Sequence, residues 1–313
     1  MRGPHNFWRL IKTGATFERS GSMDVAMDAL SAPKSLKTLS KILVFPFKYF
    51  GLKGDPSQPP ILRSLTALGP AYIKFGQLLS TRPDVVGQTL ADELKVLQDA
   101  LPPFSQKIAI ATIEKELGSK LEDLFSDFSH PIAAASLAQV HKATISDSTQ
   151  VVAVKVLRPG VEKAFLKDVD AFYLLAKIIE LFSKSSRRLK PVAVIEHFER
   201  IVREELDLRM EVSAAAEFKS NTEKDEQFIV PSVFWDLSSR RVLTTEWVSG
   251  IPIGNVEDIK NSGADMIALA SLIIQSFLRQ ALRDGFFHGD MHQGNLKLGP
   301  DGTLFVMDFG IMG

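Results

Sequence analysis

Residues 151–157, VVAVKVL, place a single lysine, Lys155, inside a run of aliphatic and mostly β-branched residues. Such a run favours an extended strand, because branching at Cβ fits a pleated, half-buried surface better than a helix. An ammonium on that strand stands among apolar neighbours, and taking it out of water is tolerable only when a carboxylate meets it. Any fold for this chain must therefore bring an acidic group from elsewhere in the sequence to this strand. The preceding segment, SLAQVHKATI (136–145), reads as the other strand of a hairpin, joined through the polar turn SDSTQ (146–150).

Around the hairpin the period is helical. Apolar positions recur at helix spacing from Ile61 to about Leu101, a stretch that contains YIKFGQLLSTRP, and again over 108–117. After the hairpin, VEKAFLKDVDAFYLLAKIIELFSK reads as one helix and SSRRLKP as a polar break. A long helix over 192–218 then offers Glu205, Asp207 and Glu211 as partners for Lys155. FIVPSVFWDL and RRVLTTEWV read as two more strands. MIALASLIIQSFL (266–278) reads as a buried core helix: it contains Gln275, is closed by Asp265 and Arg279, and falls short of the roughly 20 apolar residues of a spanning helix. Residues 1–60 are basic and mildly apolar. Pro46 interrupts any helix there, and the Pro/Gly/Ser-rich end reads as a linker. Within it, ILVFPFKYFGLK mixes aromatics with lysines, which suits either a membrane surface or packing on the next domain.

Composition excludes several chemistries. Lys+Arg and Asp+Glu are both 37, so the basic footprint of a nucleic-acid binder is missing and no nucleic-acid partner is expected. There is no cysteine, which removes disulfides, thiolate metal sites and cysteine nucleophiles. Arg2 and Arg9 precede Lys12, Glu18 and Arg19, which interrupt any apolar leader, so the expected location is cytoplasmic.

Four short elements follow one another in an order that is far more specific than any one of them. HPIAAASLAQVHKA aligns with the phosphate-covering pattern G-x-G-x-x-G-x-V at Ala133, Ala135, Ala138 and Val140, with alanine at every glycine place. Lys155 then falls at the V-A-I-K lysine. HGDMHQGN sets Asp290 and Asn295 at the D-x-x-x-x-N spacing, and Asp308-Phe309-Gly310 follows a short hairpin. Together they describe a kinase-like nucleotide site. Lys155 would reach the phosphates, Asn295 and Asp308 would hold Mg²⁺, and Asp290 would face the nucleophile. The loop residues Ala133, Ala134, Ala135, Ser136, Ala138 and Val140 would cover the nucleotide, and Glu246 to Val248 would offer backbone groups to adenine. His288 and His292 are read as residues that hold the loop, with no metal or base role.

The alanine loop, KFGQ (74–77), Glu205-x-Asp207, HGDMHQGN and DFG together resemble the UbiB/ADCK family of atypical protein-kinase-like proteins, from about Leu65 to Gly313. That resemblance implies an α+β, protein-kinase-like fold: a small antiparallel β-sheet N-lobe, a family-specific helical N-terminal extension and a partial helical C-lobe. The divisions expected are a basic segment (1–60), the helical extension with KFGQ (61–128), the N-lobe with a helical insert (129–248), and a partial C-lobe with the catalytic loop and DFG (249–313). It further implies that Glu211 pairs with Lys155, with Asp290 and these two as the catalytic set. The resemblance also implies that the alanine loop alters nucleotide selectivity and restrains phosphoryl transfer, and that the KFGQ helix lies over the substrate-docking site, with Lys74 and Gln77 projecting into the pocket and Glu205 and Asp207 meeting them or the metal.

ATP or ADP with Mg²⁺ is the implied cofactor. The implied role is an atypical kinase or ATPase supporting ubiquinone biosynthesis, acting on isoprenoid quinone-pathway lipids or their enzymes, with a membrane surface as partner and a homodimer as the candidate assembly. The full-length protein is expected peripheral to, or anchored at, the inner membrane. HGDxxxxN alone would equally suit a small-molecule phosphotransferase of the aminoglycoside or choline kinase type, and a nucleotide-binding scaffold is the reading from another class. Because the chain stops three residues after Gly310, a C-terminally truncated fragment of low stability is expected.

Overall fold

A computed structural model describes residues 5–29, 34–99, 102–182 and 186–313. Arg2, Leu101 and the last two residues of the helix expected to end at Lys184 lie outside them. The chain opens with α1 (His5–Ser20), α2 (Met23–Ala29) and α3 (Lys34–Val44), and a 3-10 turn (Phe45–Phe50) follows at Pro46. Next come α4 (Pro60–Leu68), α5 (Pro70–Ser80), α6 (Pro83–Val86), α7 (Gln88–Leu94), α8 (Gln106–Leu117) and α9 (Leu121–Leu124). α4, α5 and α6 each begin on proline, whose fixed φ and missing N–H suit a first helical turn. Three strands follow, β1 (Phe125–Ala134), β2 (Ala138–Ile145) and β3 (Val151–Leu157), then α10 (Val161–Phe182), α11 (Pro191–Glu205) and α12 (Leu208–Asn221). The remainder is β4 (Phe228–Ile229), β5 (Val242–Glu246), β6 (Ile251–Pro252), α13 (Val256–Asn261), α14 (Met266–Arg279), β7 (Leu296–Leu298) and β8 (Leu304–Val306).

The chain divides into two compact units. One comprises residues 1–103, 134–138 and 158–203; the other comprises 104–133, 139–157 and 204–313. The first unit is helical and built around aromatic rings. Phe172 packs against Tyr72 and Phe75 with ring centres 4.8 and 5.2 Å apart, and Phe198 lies 5.2 Å from Phe75 and 5.3 Å from Phe165. The KFGQ glycine has a packing reason here: a Cβ at Gly76 would stand 2.4 Å from Leu97 Cδ1 and 3.0 Å from Leu65 Cδ1.

The second unit holds two sheets, β1-β2-β3-β5 and β4-β8-β7-β6. β3 runs antiparallel to β5, with Lys155 opposite Leu243. Val152, Val154 and Val156 turn inward to a core with Ala143, Val242 and Ile113, so the alternation of the strand sends Lys155 to its other face. A second core gathers Phe218, Phe228, Ile259, Leu296, Leu298, Leu304, Val306 and Phe309. The fold is thus the mixed α+β arrangement expected.

Four local expectations change. HPIAA (130–134) belongs to a strand, β1, that the alternation did not announce. The expected long helix breaks at Asp207, which caps α12 by accepting from the Arg209 N–H at 3.2 Å. FIVPSVFWDL contributes the two residues of β4, a single bridge from Val233 to Thr245 and a 3-10 turn at Trp235–Leu237, since Pro231 has no N–H to continue a ladder. Finally, α14 is not buried all round: it buries Leu269 and Ser276 while Ile267 and Ile274 face solvent, because only one stripe of a 3.6-residue period meets the second core.

Gly76→Ala tests the packing reading of the KFGQ helix. Although alanine is the better helix former, the overpacked Leu97 and Leu65 methyls should outweigh that gain, lowering unfolding free energy by about 1–2 kcal/mol in urea titration. Unchanged or increased stability would refute the close approach.

Candidate active site

Lys155 meets its acid from α12. Its Nζ lies 2.8 and 2.9 Å from the two carboxylate oxygens of Glu211 and 3.3 Å from Asp308 Oδ1. Helix periodicity explains why Glu211 is there. Leu208, Glu211, Ala215 and Phe218 form one buried stripe of α12, so anchoring Phe218 in the second core also turns the carboxylate inward. Of the three acids offered by the sequence, Glu211 is the one in contact. Asp207 is held by Arg209, whose Nε and Nη2 donate at 2.9 and 2.6 Å and keep its carboxyl below the ordinary range. Glu205 is half-buried at the end of α11.

Burial pushes the Glu211 carboxyl up to about 7, against the pull of the Lys155 ammonium. Burial alone would lower Lys155; the carboxylates of Asp308 and Glu211 outweigh it and raise its pKa. The group is therefore a charged lysine held by two acids, one buried and one half in water.

The catalytic-loop and DFG residues are tied together by His288. Its Nε2 lies 2.8 Å from the Asp308 carbonyl, while Nδ1 accepts from the Asp290 N–H at 3.1 Å, an arrangement that requires the proton on Nε2. Its ring is 6.0 Å from Phe309, which in turn stands 6.0 Å from Phe218. Asp290 keeps an accessible side chain, with His292 Nε2 3.7 Å from Oδ2. His292 itself accepts from the Gly294 N–H at 2.9 Å. Asn295 is buried and donates through Nδ2 to the Asp290 carbonyl at 3.0 Å, which leaves its Oδ1 as the oxygen on offer. Asp308 adopts φ 61°, a left-handed conformation that aspartate and asparagine tolerate better than most residues. An exposed carboxylate and an amide oxygen make a hard-oxygen donor pair of the kind Mg²⁺ takes from proteins, with phosphates and waters completing the shell. Among the described residues no group of three or more His, Cys, Asp or Glu could hold a metal by itself.

At the alanine loop, Ala134–Ala138 belong with the first unit. The Ala135 N–H donates to the Ala138 carbonyl at 2.8 Å, closing the turn between β1 and β2. Ala133, Ala134, Ala135, Ser136 and Ala138 all keep negative φ, so this turn needs no glycine. Arg158 reaches the Ala135 carbonyl at 3.3 Å and the Pro102 carbonyl at 2.7 Å. Val140, in β2, is half-buried. Gln77, in α5, donates to the Leu97 carbonyl at 2.9 Å, and Lys74 is half-buried on the same helix. In the second unit, Glu246 ends β5 and its Oε2 accepts from the Ser232 N–H at 3.3 Å, and Val248 is buried.

Sequence reasoning missed a buried polar chain behind β2. His141 Nδ1 donates to the Ser129 carbonyl at 2.9 Å, its Nε2 accepts from Gln139 Nε2 at 2.9 Å, and Gln139 Oε1 accepts from the Phe104 N–H at 2.8 Å. Burial lowers the His141 pKa, in keeping with the neutral ring this chain requires. The alternation of Gln139 and His141 on a strand with apolar neighbours was the signal available.

The ABC1 atypical kinase-like domain matches residues 96–313. The chain belongs to this family. The resemblance read from KFGQ, the alanine loop, HGDMHQGN and DFG is borne out. Among curated relatives, proteins named "Probable protein kinase UbiB" from Marinobacter nauticus and Aliivibrio fischeri are each 41% identical over 255 residues, which is 80% of this chain and 46% and 47% of theirs. The chain thus spans about half the length of the curated relatives it matches. A solved structure, the Rv3197–erythromycin complex from Mycobacterium tuberculosis, is 29% identical with a TM-score of 0.57, covering 78% of this chain and 61% of that one. No helix among the described residues is long and apolar enough to cross a membrane.

The Lys155–Glu211 pair makes a prediction whose sign follows from the raised Glu211 carboxyl. In Lys155→Met the carboxyl rises further, since the ammonium that favours its charge is gone. A carboxyl raised in the folded state contributes stability that is present at low pH and is lost as pH climbs through its folded value. The loss of stability in Lys155→Met should therefore be smaller at about pH 6 than at about pH 8, and the extra loss should vanish in Lys155→Met/Glu211→Gln. Urea titrations at the two pH values decide it: parallel losses in both variants would count against a buried, strained carboxyl.

Proposed function

We propose that this chain carries a Mg²⁺-dependent nucleotide site of the UbiB type, using ATP or ADP, and that it turns ATP over slowly, either to water or to an acceptor. The observation that supports it most is the contact of one lysine with both Glu211 and the DFG aspartate. A kinase-like site needs these charges assembled before phosphate arrives. Lys155 would hold the phosphates, and Glu211 would keep its ammonium in place. Asn295 Oδ1 and the Asp308 carboxylate would hold Mg²⁺, which supplies neutralisation of phosphate charge. Asp290 would orient the attacking hydroxyl or water and accept its proton. His288 positions Asp290 and Asp308 relative to each other through one ring. Glu246 and Val248 would meet the base, and the loop from Ala133 to Val140 would cover the nucleotide. The regulatory role of Lys74, Gln77, Glu205 and Asp207, which would occlude the substrate site, belongs to the same proposal and rests on the family motif.

The relatives' name supports a role in ubiquinone biosynthesis, with a quinone-pathway lipid or enzyme as target. A membrane surface fits the first unit, where Tyr49 and Phe50 are 83% and 77% exposed beside Lys48 and Lys53. Amphipathic aromatic side chains flanked by lysines suit an anionic interface. The location that follows is cytoplasmic and peripheral to the inner membrane.

Two experiments test these readings. In thermal-shift titration, Mg-ATP or Mg-ADP should raise the Tm of the wild-type chain, and Asp308→Asn, which keeps a residue suited to positive φ, should abolish the shift. No shift in the wild-type chain, or an undiminished one in Asp308→Asn, would sink the nucleotide site as drawn. For the membrane, the chain should co-float with phosphatidylcholine/phosphatidylglycerol vesicles and lose most of that binding in Tyr49→Ser/Phe50→Ser. Equal flotation of the two proteins would place the contact elsewhere.

A further inference from the structure

The segment after β5 holds a cation that none of the phosphate chemistry uses. Lys297 lies in β7, where Leu296 and Leu298 turn into the second core and the alternation of the strand sends Lys297 to the opposite face. Across the sheet it pairs with Pro252 of β6. Its Nζ donates to the Val248 carbonyl at 3.3 Å and stands 5.4 Å from the centre of the Trp247 ring. Lys142 of β2 approaches the same ring, at 5.0 Å. Lys297 meets no carboxylate within ion-pair distance among the described residues, and burial lowers its pKa. The nearest acid in sequence to the ring, Glu246, accepts from the Ser232 N–H instead.

An ammonium has three donors, and one long hydrogen bond with one ring contact leaves donor capacity unspent. The polarity of this wall is the point. The Val248 carbonyl accepts one hydrogen bond from Lys297 and keeps a second lone pair for the amino group of a base. Lys297 adds a donor to this wall, and a base makes use of it only by bringing acceptors. Guanine sets O6 and N7 side by side, whereas adenine sets an amino donor beside N7, and lysine to the O6/N7 edge is a recurrent pairing.

We propose that Lys297 is a base-specificity residue of the nucleotide site, donating to the O6/N7 edge of guanine so that guanine nucleotides are admitted alongside ATP. The proposal rests on the nucleotide-site reading above and adds to it the identity of the base. Trp247 acts with it, as the ring that holds the ammonium beside the Val248 carbonyl.

The test is equilibrium binding of Mg-ATP and Mg-GTP to the full chain, in wild type, Lys297→Met and Lys297→Arg, with Asp308→Asn as control. Wild type should bind both nucleotides. Lys297→Met should weaken GTP about tenfold, the scale of one hydrogen bond to a charged group, and leave ATP unchanged. Lys297→Arg should retain GTP. A purely structural role would move ATP and GTP together, and that result overturns the proposal, as does a Lys297→Met protein with an unaltered GTP/ATP ratio. If wild type binds ATP but not GTP, the base assignment falls and the nucleotide site stands; if it binds neither, both fall. Should Lys297→Met fail to fold, Lys297→Gln takes its place, keeping a donor without the charge. The expectation is then a smaller loss confined to GTP, and an equal loss for both nucleotides is the overturning result.

Discussion

A lysine ammonium lifted off a β-strand into a half-dry environment is the constraint around which the second unit is arranged. Lys155 can remain charged there only because Glu211 meets it with both oxygens and Asp308 approaches from a third direction. Each of those acids is delivered by a different device. Glu211 arrives on a helix whose buried stripe is anchored two turns later by Phe218; Asp308 arrives on a left-handed residue next to Phe309, which is buried in the same core. The charges are therefore placed by apolar packing. The ion pair itself adds little net stability, since desolvation offsets much of the attraction, but it makes the position of α12 matter to the chemistry.

His288 plays the corresponding part on the other side of the site. A buried imidazole with one nitrogen donating to the Asp308 carbonyl and the other accepting from the Asp290 N–H joins the HGDMHQGN loop to the DFG turn. Its ring and those of Phe218 and Phe309 form one aromatic cluster, so α12, the loop and the DFG turn share a single packed joint. That joint explains how short polar segments can hold their side chains in place without a disulfide to staple them.

The alanine loop shows how a departure from a pattern can be read physically. Glycine is required where φ must be positive or a Cβ would collide, and neither holds at Ala133, Ala135 or Ala138, whose φ values are negative. The turn is closed by its own backbone bond from Ala135 to Ala138 and by Arg158 beneath it. By contrast the glycine of KFGQ is demanded by contact, with two leucine side chains where its Cβ would be. Small residues in two motifs thus have different causes, one of backbone shape and one of close approach.

Much of the site was legible along the chain, because the residues that carry chemistry stand at fixed offsets: Lys155 in a β-branched run, Asp290 to Asn295 within one loop, and Asp308 next to Phe309. The sequence by itself determined which groups are available, that Lys155 would need an acid, and that a strand pair with helices before and after it would carry that lysine. It left three acids open for that lysine, and only the break at Asp207 decided among them. Capping turns Asp207 onto Arg209, while the new helix register turns Glu211 inward. In the same way, the apolar run of α14 announced burial, yet only packing decided which stripe of it met a core. The physical reason is common to both cases. Residue type and spacing set what a segment can do locally, whereas which face is covered, and which charge is desolvated, depends on neighbours distant in sequence.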